Sequence, residues 1–292
     1  MFNKLHTKKI KISLNSIINK LILKYEMRSI HKKKVLGDKF KKFAIFKHDQ
    51  NSHHINLLDI YEKDELDTVF SFFLKNKKNE FKKKIALDIG AYLGNHSIYF
   101  SKYFKEVYSF EPNKSSFQLL KFNVSFYNNI KVFNFGLFNK SKTLNLKEVN
   151  YNLAGSSFKI DKYKHKKNER AKVYKFDNLK FNKKIALIKI DTERCEYEVL
   201  KGSEKTLKKN RPLILFEQSK DEFKNNTTKS IDFLKKNNYR ILYINKKNYF
   251  FLIRFLKNIY EFFFGRQLTI LESDFITKND YSFLIAIPLK NK

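Results

Sequence analysis

The chain has 292 residues, with 61 lysines and arginines against 29 acids and a formal charge of +32. Its single cysteine, Cys195, excludes an intramolecular disulfide and fits a reducing cytosol, while 42% hydrophobic content suffices for one α/β domain with a real core. The charge invites a nucleic-acid partner, but only seven of the 61 basic residues are arginine, the side chain that base and phosphate forks favour.

The lysine excess, with abundant Asn, Ile and Phe, has the cast of an AT-rich coding sequence, so nucleic acid is not the expected partner. Attraction to anionic membranes and polysaccharides is expected whatever its origin.

Residues 1–50 read as a basic N-terminal extension. Ile12, Leu14, Ile17, Ile18, Leu21 and Ile22 recur at helical spacing and predict one amphipathic helix. It has three available roles: docking on the following domain, pairing with a second subunit, or lying on a membrane surface. The start, Met1-Phe-Asn-Lys-Leu, has no uninterrupted apolar region, which argues against a signal peptide, and no charge-free apolar run is long enough to span a bilayer. The expected location is the cytoplasm, with the inner face of the membrane as the alternative site. The seven histidines show no metal-ligand spacing, and His53 and His54 are adjacent and upstream of the predicted fold.

A folded domain is predicted over 55–292. A helix is expected at 62–75, followed by an apolar run, Ile85 to Ile89, that ends in Asp88-Ile-Gly90-Ala-Tyr-Leu-Gly94. A helical pattern begins at Asn95, and a second apolar run, Val107 to Phe110, ends in Glu111. Strand, glycine turn, helix, strand and terminal acid form the first half of a nucleoside-binding βαβ unit. Glu111 can accept two hydrogen bonds from a ribose diol. A dinucleotide fingerprint would need a glycine at position 92, where this chain has Tyr. An acid two residues before the first glycine repels a pyrophosphate but suits the ammonium of a methionine moiety. The pattern therefore predicts S-adenosyl-L-methionine (AdoMet) as cofactor.

Further strands are expected near 130–134, 185–190, 212–216, 240–243 and 282–287, with helices at 95–103, 114–126, 196–208 and 227–237. About fifty residues separate the third and fourth of the predicted strands, longer than a usual crossover. Leu144-Asn-Leu146 and Val173-Tyr-Lys-Phe176 alternate there, predicting a small antiparallel excursion inserted over 138–176. Aromatic residues crowd 249–264, with Arg254, Lys257 and Glu261 forming one polar stripe. A helix there either packs on the core or a sister subunit, or lies in a lipid interface.

Seven motifs in order resemble one family. Tyr61-Glu-Lys-Asp-Glu-Leu66 is similar to its helix before the first strand, and Asp88-Ile-Gly-Ala-Tyr-Leu-Gly-Asn-His-Ser97 with Phe110-Glu-Pro-Asn113 to its cofactor region. Lys175-Phe-Asp-Asn-Leu179, Ile188-Lys-Ile-Asp-Thr-Glu193 with Val199-Leu-Lys-Gly202, and Arg211-Pro-Leu-Ile-Leu-Phe-Glu217 follow. Over roughly 55–220 the chain resembles the FkbM-type methyltransferases. The resemblance implies a class I methyltransferase: a Rossmann-like, seven-stranded, mostly parallel sheet with helices on both faces. It also implies methylation of a hydroxyl oxygen, often in sugar or polysaccharide pathways. One position departs: the family usually has Gly after Asp-x-Glu, and here Arg194 stands in its place. A glycine would permit positive φ. Either Arg194 selects an acidic acceptor, the favoured reading, or it marks a weakened enzyme.

Ligands of open α/β sheets bind at the carboxyl ends of strands, where four acids fall. The cofactor candidates are Asp88 toward the methionine end, Glu111 toward the ribose, His96 near the methionine carboxylate, Gly136 beside the adenine, and Gly90, Ala91, Gly94, Asn95 and Pro112 around them. A hydroxyl is a poor nucleophile until its proton leaves, so a base or a metal is needed. Asp191 is the first candidate, Glu193 the second and Glu217 the third. A divalent ion on these carboxylates is compatible with the sequence but not required by it. Asn152 and Ser156, with Arg194, are the candidate acceptor contacts. The leading function is O-methylation of a glycan or related hydroxylated acceptor. An RNA ribose or base methyltransferase, and a non-catalytic AdoMet-binding or scaffold subunit, are the alternatives.

Overall fold

The computed structural model describes residues 43–47, 49, 51, 52, 55, 60–74, 78–149, 155–159, 165–246, 268–272 and 276–289. The predicted N-terminal helix, His53 and His54, Asn152 and the aromatic segment 249–264 lie outside them. From Ala44 onward the chain forms one compact unit.

Its centre is a sheet of eight strands, β1 (Ile85–Ile89), β2 (Glu106–Phe110), β3 (Ile130–Phe133), β7 (Ile185–Ile190), β8 (Leu213–Gln218), β9 (Tyr239–Lys246), β10 (Leu268–Glu272) and β11 (Tyr281–Pro288). Their spatial order is β10-β9-β11-β8-β7-β1-β2-β3. β3, β2, β1, β7 and β8 run parallel, while β11 inserts antiparallel between β8 and β9. The sheet is thus mostly parallel, as expected, with one strand more than the expected seven. The addition is β10, an edge strand antiparallel to β9 that carries no distinct signal in the apolar stretch before it.

Central parallel strands are covered on both faces, so they read as continuous apolar runs. β1 and β7 are buried along their whole length. Side chains alternate between faces. Ile85, Leu87 and Ile89 join Ile188, Ile190, Ile214 and Phe216 in one core, against Val199 and Leu200 of α5 (Glu196–Gly202) and Ile231 and Leu234 of α7 (Lys229–Lys236). Ala86, Val107, Leu187 and Leu215 face the other core, with Leu66, Val69 and Phe70 of α1 (Lys63–Leu74) and Tyr99 and Phe100 of α3 (Asn95–Ser101). Two short helices, α2 (Lys78–Phe81) and α6 (Glu204–Asn210), and a longer one, α4 (Lys114–Val124), complete the described set.

The helix expected at 196–208 is broken into α5 and α6 at Ser203, whose Oγ turns back to the Leu200 carbonyl at 2.8 Å. Just before the break, a side chain at Gly202 would sit 2.0 Å from the Phe138 carbonyl oxygen, so only glycine allows this approach. The excursion is a second sheet of β4 (Gly136–Phe138), β5 (Lys142–Val149) and β6 (His165–Lys175). β5 and β6 are antiparallel as expected, and β4 adds parallel to β6.

Candidate active site

A cavity opens over the carboxyl ends of β1, β2, β7 and β8, at the place where open α/β sheets take ligands. Its nucleoside-like end is lined by Ala91, Tyr92, Glu111, Pro112, Gly136, Leu137, Phe138 and Leu146. Glu111 is 7% exposed; its two carboxylate oxygens accept from the Tyr92 and Asn113 backbone amides at 2.9 and 2.8 Å. Burial pushes its carboxyl up to about 7, against the pull of those two amides. Each oxygen keeps a second lone pair for a diol, and the apolar wall beside it suits a purine. These residues fit an adenosine.

The two loop glycines do their work on the protein itself. Gly90 has φ +78°, and a Cβ there would lie 1.7 Å from the Asp191 carbonyl oxygen, so the loops after β1 and β7 can cross only at a glycine. Gly94, φ +90°, precedes α3, and its missing side chain makes room for Leu120 of α4. Gly94 and Asp88 are not on the cavity wall. Asp88 is 0% exposed and lies beneath it, accepting from Ser97 Oγ at 2.5 Å. Instead of facing a ligand ammonium, its other oxygen faces the protein's own, Lys189 Nζ, at 3.5 Å.

Lys189 is the functional residue that motif reading missed. It is 2% exposed, one residue before the end of β7, and strand register sets it directly opposite Asp88. Its ammonium donates to the Gly90 carbonyl at 3.0 Å and pairs with Asp191 Oδ2 at 3.1 Å. Burial alone would lower the Lys189 pKa; the Asp191 and Asp88 carboxylates outweigh it and raise it, so the cation persists. The signal was present in the sequence: two charges of opposite sign, Asp88 and Lys189, interrupt otherwise apolar strand runs.

The other end of the cavity is acidic. Asp191, Glu193 and Glu217 offer carboxylate oxygens within 4.8 Å of one another, a spacing that could accommodate a cation. Burial would raise the Asp191 carboxyl, but Lys189 and a hydrogen bond with Glu217 hold it below the usual range. Burial and then the Asp191 charge push Glu193 up to about 8 and Glu217 well above its ordinary value. Asp191 is therefore the member that ionises first, and Glu193 and Glu217 hold their protons to higher pH. His96 lines the cavity with Nε2 3.3 Å from Glu62 Oε2, and Asn95 clamps the backbone of Tyr61 through both side-chain atoms at 2.9 and 3.2 Å. Cys195 also lines the wall, buried, with its thiol pushed up to about 12.

Ser156 reaches the wall, and its neighbour Ser157 donates from Oγ to the Glu193 carbonyl at 2.5 Å. Arg194 does not line the cavity. Its guanidinium pairs with Asp221 at 3.1 Å, and its backbone takes the positive φ, +77°, that the usual glycine would supply. The freedom expected to be lost at this position is exercised by an arginine under strain.

Sheet order, the carboxyl-end cavity and a ribose-ready acid after β2 define a class I AdoMet-dependent methyltransferase fold. The sequence pattern of the methyltransferase FkbM domain matches residues 88–241, and the chain belongs to that family. Similar solved structures include a methyltransferase FkbM from Methylobacillus flagellatus, at 14% identity over 70% of this chain and 44% of that one, TM-score 0.39. This chain thus spans less than half of that protein. Others are a precorrin-6y C5,15-methyltransferase from Geobacter metallireducens (13% identity, 79% and 92% covered, TM-score 0.41) and a magnesium protoporphyrin IX methyltransferase from Synechocystis (8% identity, 84% and 87% covered, TM-score 0.44). No curated protein matches the chain. Among the described residues, no helix is long and apolar enough to cross a membrane.

Proposed function

We propose that this chain transfers a methyl group from AdoMet to a hydroxyl oxygen of a glycan or related hydroxylated acceptor. The observation that carries the proposal is the Asp191–Glu193–Glu217 cluster on the cavity wall, with Lys189 holding Asp191 ionised. When bound, AdoMet supplies an electrophilic methyl on a sulfonium. The protein's part is to bind the nucleoside, orient the hydroxyl and take its proton.

Glu111, supported by Pro112 and Gly136, would hold the ribose and the purine face. Asp191, ionised and 33% exposed, accepts a hydrogen bond from the acceptor hydroxyl and aims its oxygen. Glu193, with a carboxyl near 8, is matched to take the proton near neutral pH, since a base works best with a pKa close to the working pH. Glu217, which keeps its proton, donates to Asp191 and fixes it. No metal is needed for these steps, although the cluster could accept a divalent ion. The formal charge of +32 supports attraction to anionic lipid or polysaccharide, where such an acceptor would be built.

The test is transfer from tritiated AdoMet to glycosides and to RNA in parallel. Label in the glycosides supports the proposal, whereas label only in RNA replaces it with the RNA reading. AdoMet binding without transfer to any acceptor, in a screen of both classes, favours the non-catalytic alternative. The pH profile of kcat/KM should rise through about 8 and lose that limb in Glu193→Gln.

A further inference from the structure

Although the chain carries 61 basic residues, the described residues at the transfer end of its cavity present no free cation to an anion. Among the described lining residues the basic side chains are Lys189 and His96. Lys189 is 2% exposed and already pairs with two carboxylates; His96 faces Glu62. Two further cations adjoin lining residues in sequence and are turned elsewhere. Arg194, between Glu193 and Cys195, pairs with Asp221 at 3.1 Å. Lys159, next to Phe158, donates to the Arg194 carbonyl at 2.9 Å and pairs with Glu198 at 2.6 Å.

We infer that this cavity selects its acceptor by charge: it takes neutral or amine-bearing glycosides and rejects those carrying a carboxylate or phosphate near the reacting hydroxyl. The inference rests on the proposed O-methylation and narrows its substrate class. The physical basis is negative selection. An anion entering the cavity loses water, finds no free donor cation among these residues, and meets the clustered side-chain oxygens of Asp191, Glu193 and Glu217. Like charges brought together in such a water-poor site are strongly disfavoured. A neutral hydroxyl or an ammonium finds acceptors instead. The same reasoning disfavours the phosphates of RNA, and it reverses the reading of Arg194 as a receptor for acidic acceptors.

The experiment compares three probes that differ in charge at one position: a methyl glucoside, a methyl glucosaminide and a methyl glucuronoside. The full chain is assayed with tritiated AdoMet, once with EDTA and once with magnesium, and AdoMet binding is measured by calorimetry on the same sample. The inference expects kcat/KM for the uronate to be at least about tenfold below the neutral glycoside under both conditions, with the amine equal to or above it. A uronate used as well as the neutral glycoside overturns the inference and leaves the O-methylation standing. Uronate preference that appears only with magnesium also overturns it, by showing that a cation bridges the acid cluster to an anionic acceptor. Transfer to none of the three despite AdoMet binding removes the glycoside acceptor and this inference with it. Absence of AdoMet binding removes the enzymatic reading itself.

Discussion

The two ends of the cavity are built in different ways. At the nucleoside end, Glu111 is held by the amides of Tyr92 and Asn113, so its support comes from the two loops that its own motif supplies. At the transfer end, Asp191 depends on Lys189, which in turn spans to Asp88 and the Gly90 carbonyl on a strand far away in sequence. One acid is fixed by neutral backbone donors; the other is fixed by a buried cation. Neutral support lets burial win and raises the Glu111 carboxyl, whereas cationic support overrides burial and lowers that of Asp191. Two carboxylates in one cavity are thereby given different work.

The largest effect should come from breaking the cationic support. Lys189→Met leaves Asp88 buried without its counter-charge and is expected to destabilise the protein by about 3–5 kcal/mol. Adding Asp88→Asn should restore much of that loss, read as the shift in urea midpoint. Equal stability of the single variant and the wild type would show that the ammonium is dispensable.

Next, Asp191→Asn removes the ionised carboxylate while keeping its shape. Turnover should fall about a hundredfold, the scale of losing a group that accepts or orients a transferring proton, with AdoMet affinity nearly intact. Retention of most turnover would pass the role to Glu193 or Glu217.

A smaller effect is expected at the neutral end. Glu111→Gln should weaken AdoMet at least about tenfold by calorimetry, through lost charge-assisted hydrogen bonds. The sign of the pH dependence follows from the raised carboxyl at about 7. Below that value Glu111 is neutral, so wild-type affinity should climb as pH rises through about 7, and Glu111→Gln should be flat. Stability runs the other way. The folded state holds the proton more tightly than the unfolded chain, so this group's contribution is present below the ordinary carboxylate range and lost as pH rises through about 7. A wild-type affinity that stays constant across that titration would break the contrast with Asp191.

The smallest effect belongs to Arg194→Gly. Relief of the strained φ should stabilise by about 1 kcal/mol, offset in part by the loss of a partly exposed ion pair with Asp221. Acceptor KM should stay within about twofold, well under the tenfold that 1.4 kcal/mol of binding would bring, because the side chain does not line the cavity. A large rise in KM would restore Arg194 as an acceptor contact.

Much of the fold was legible in the residues alone. Continuous apolar runs placed β1, β2, β7 and β8 within a residue or two, because strands buried on both faces need them. Alternation in 144–146 and 173–176 announced the second sheet, but not that β4 would join it in parallel. The break at Ser203 escaped because helical periodicity continues through it; it falls next to Gly202, where the Phe138 carbonyl, far earlier in the chain, packs closely. Within the site, Glu111, Pro112, Gly136, Ala91, Asn95 and His96 all reached the cavity wall as the motifs suggested. Asp88, Gly94 and Arg194 did not, and Tyr61, Glu62 and Tyr92 joined the wall without a motif to mark them as ligand contacts.

The sequence by itself determined the order of strands and helices, the family, and which acids end which strands, because these depend on local periodicity and on motifs within a short span. Tertiary structure alone decided what each charge faces. Lys189 meets Asp88 only through the parallel register of β1 and β7, and Arg194 meets Asp221 only where two loops converge. Electrostatic environment depends on neighbours in space and on exclusion of water. Neither is written in the spacing of residues along a chain.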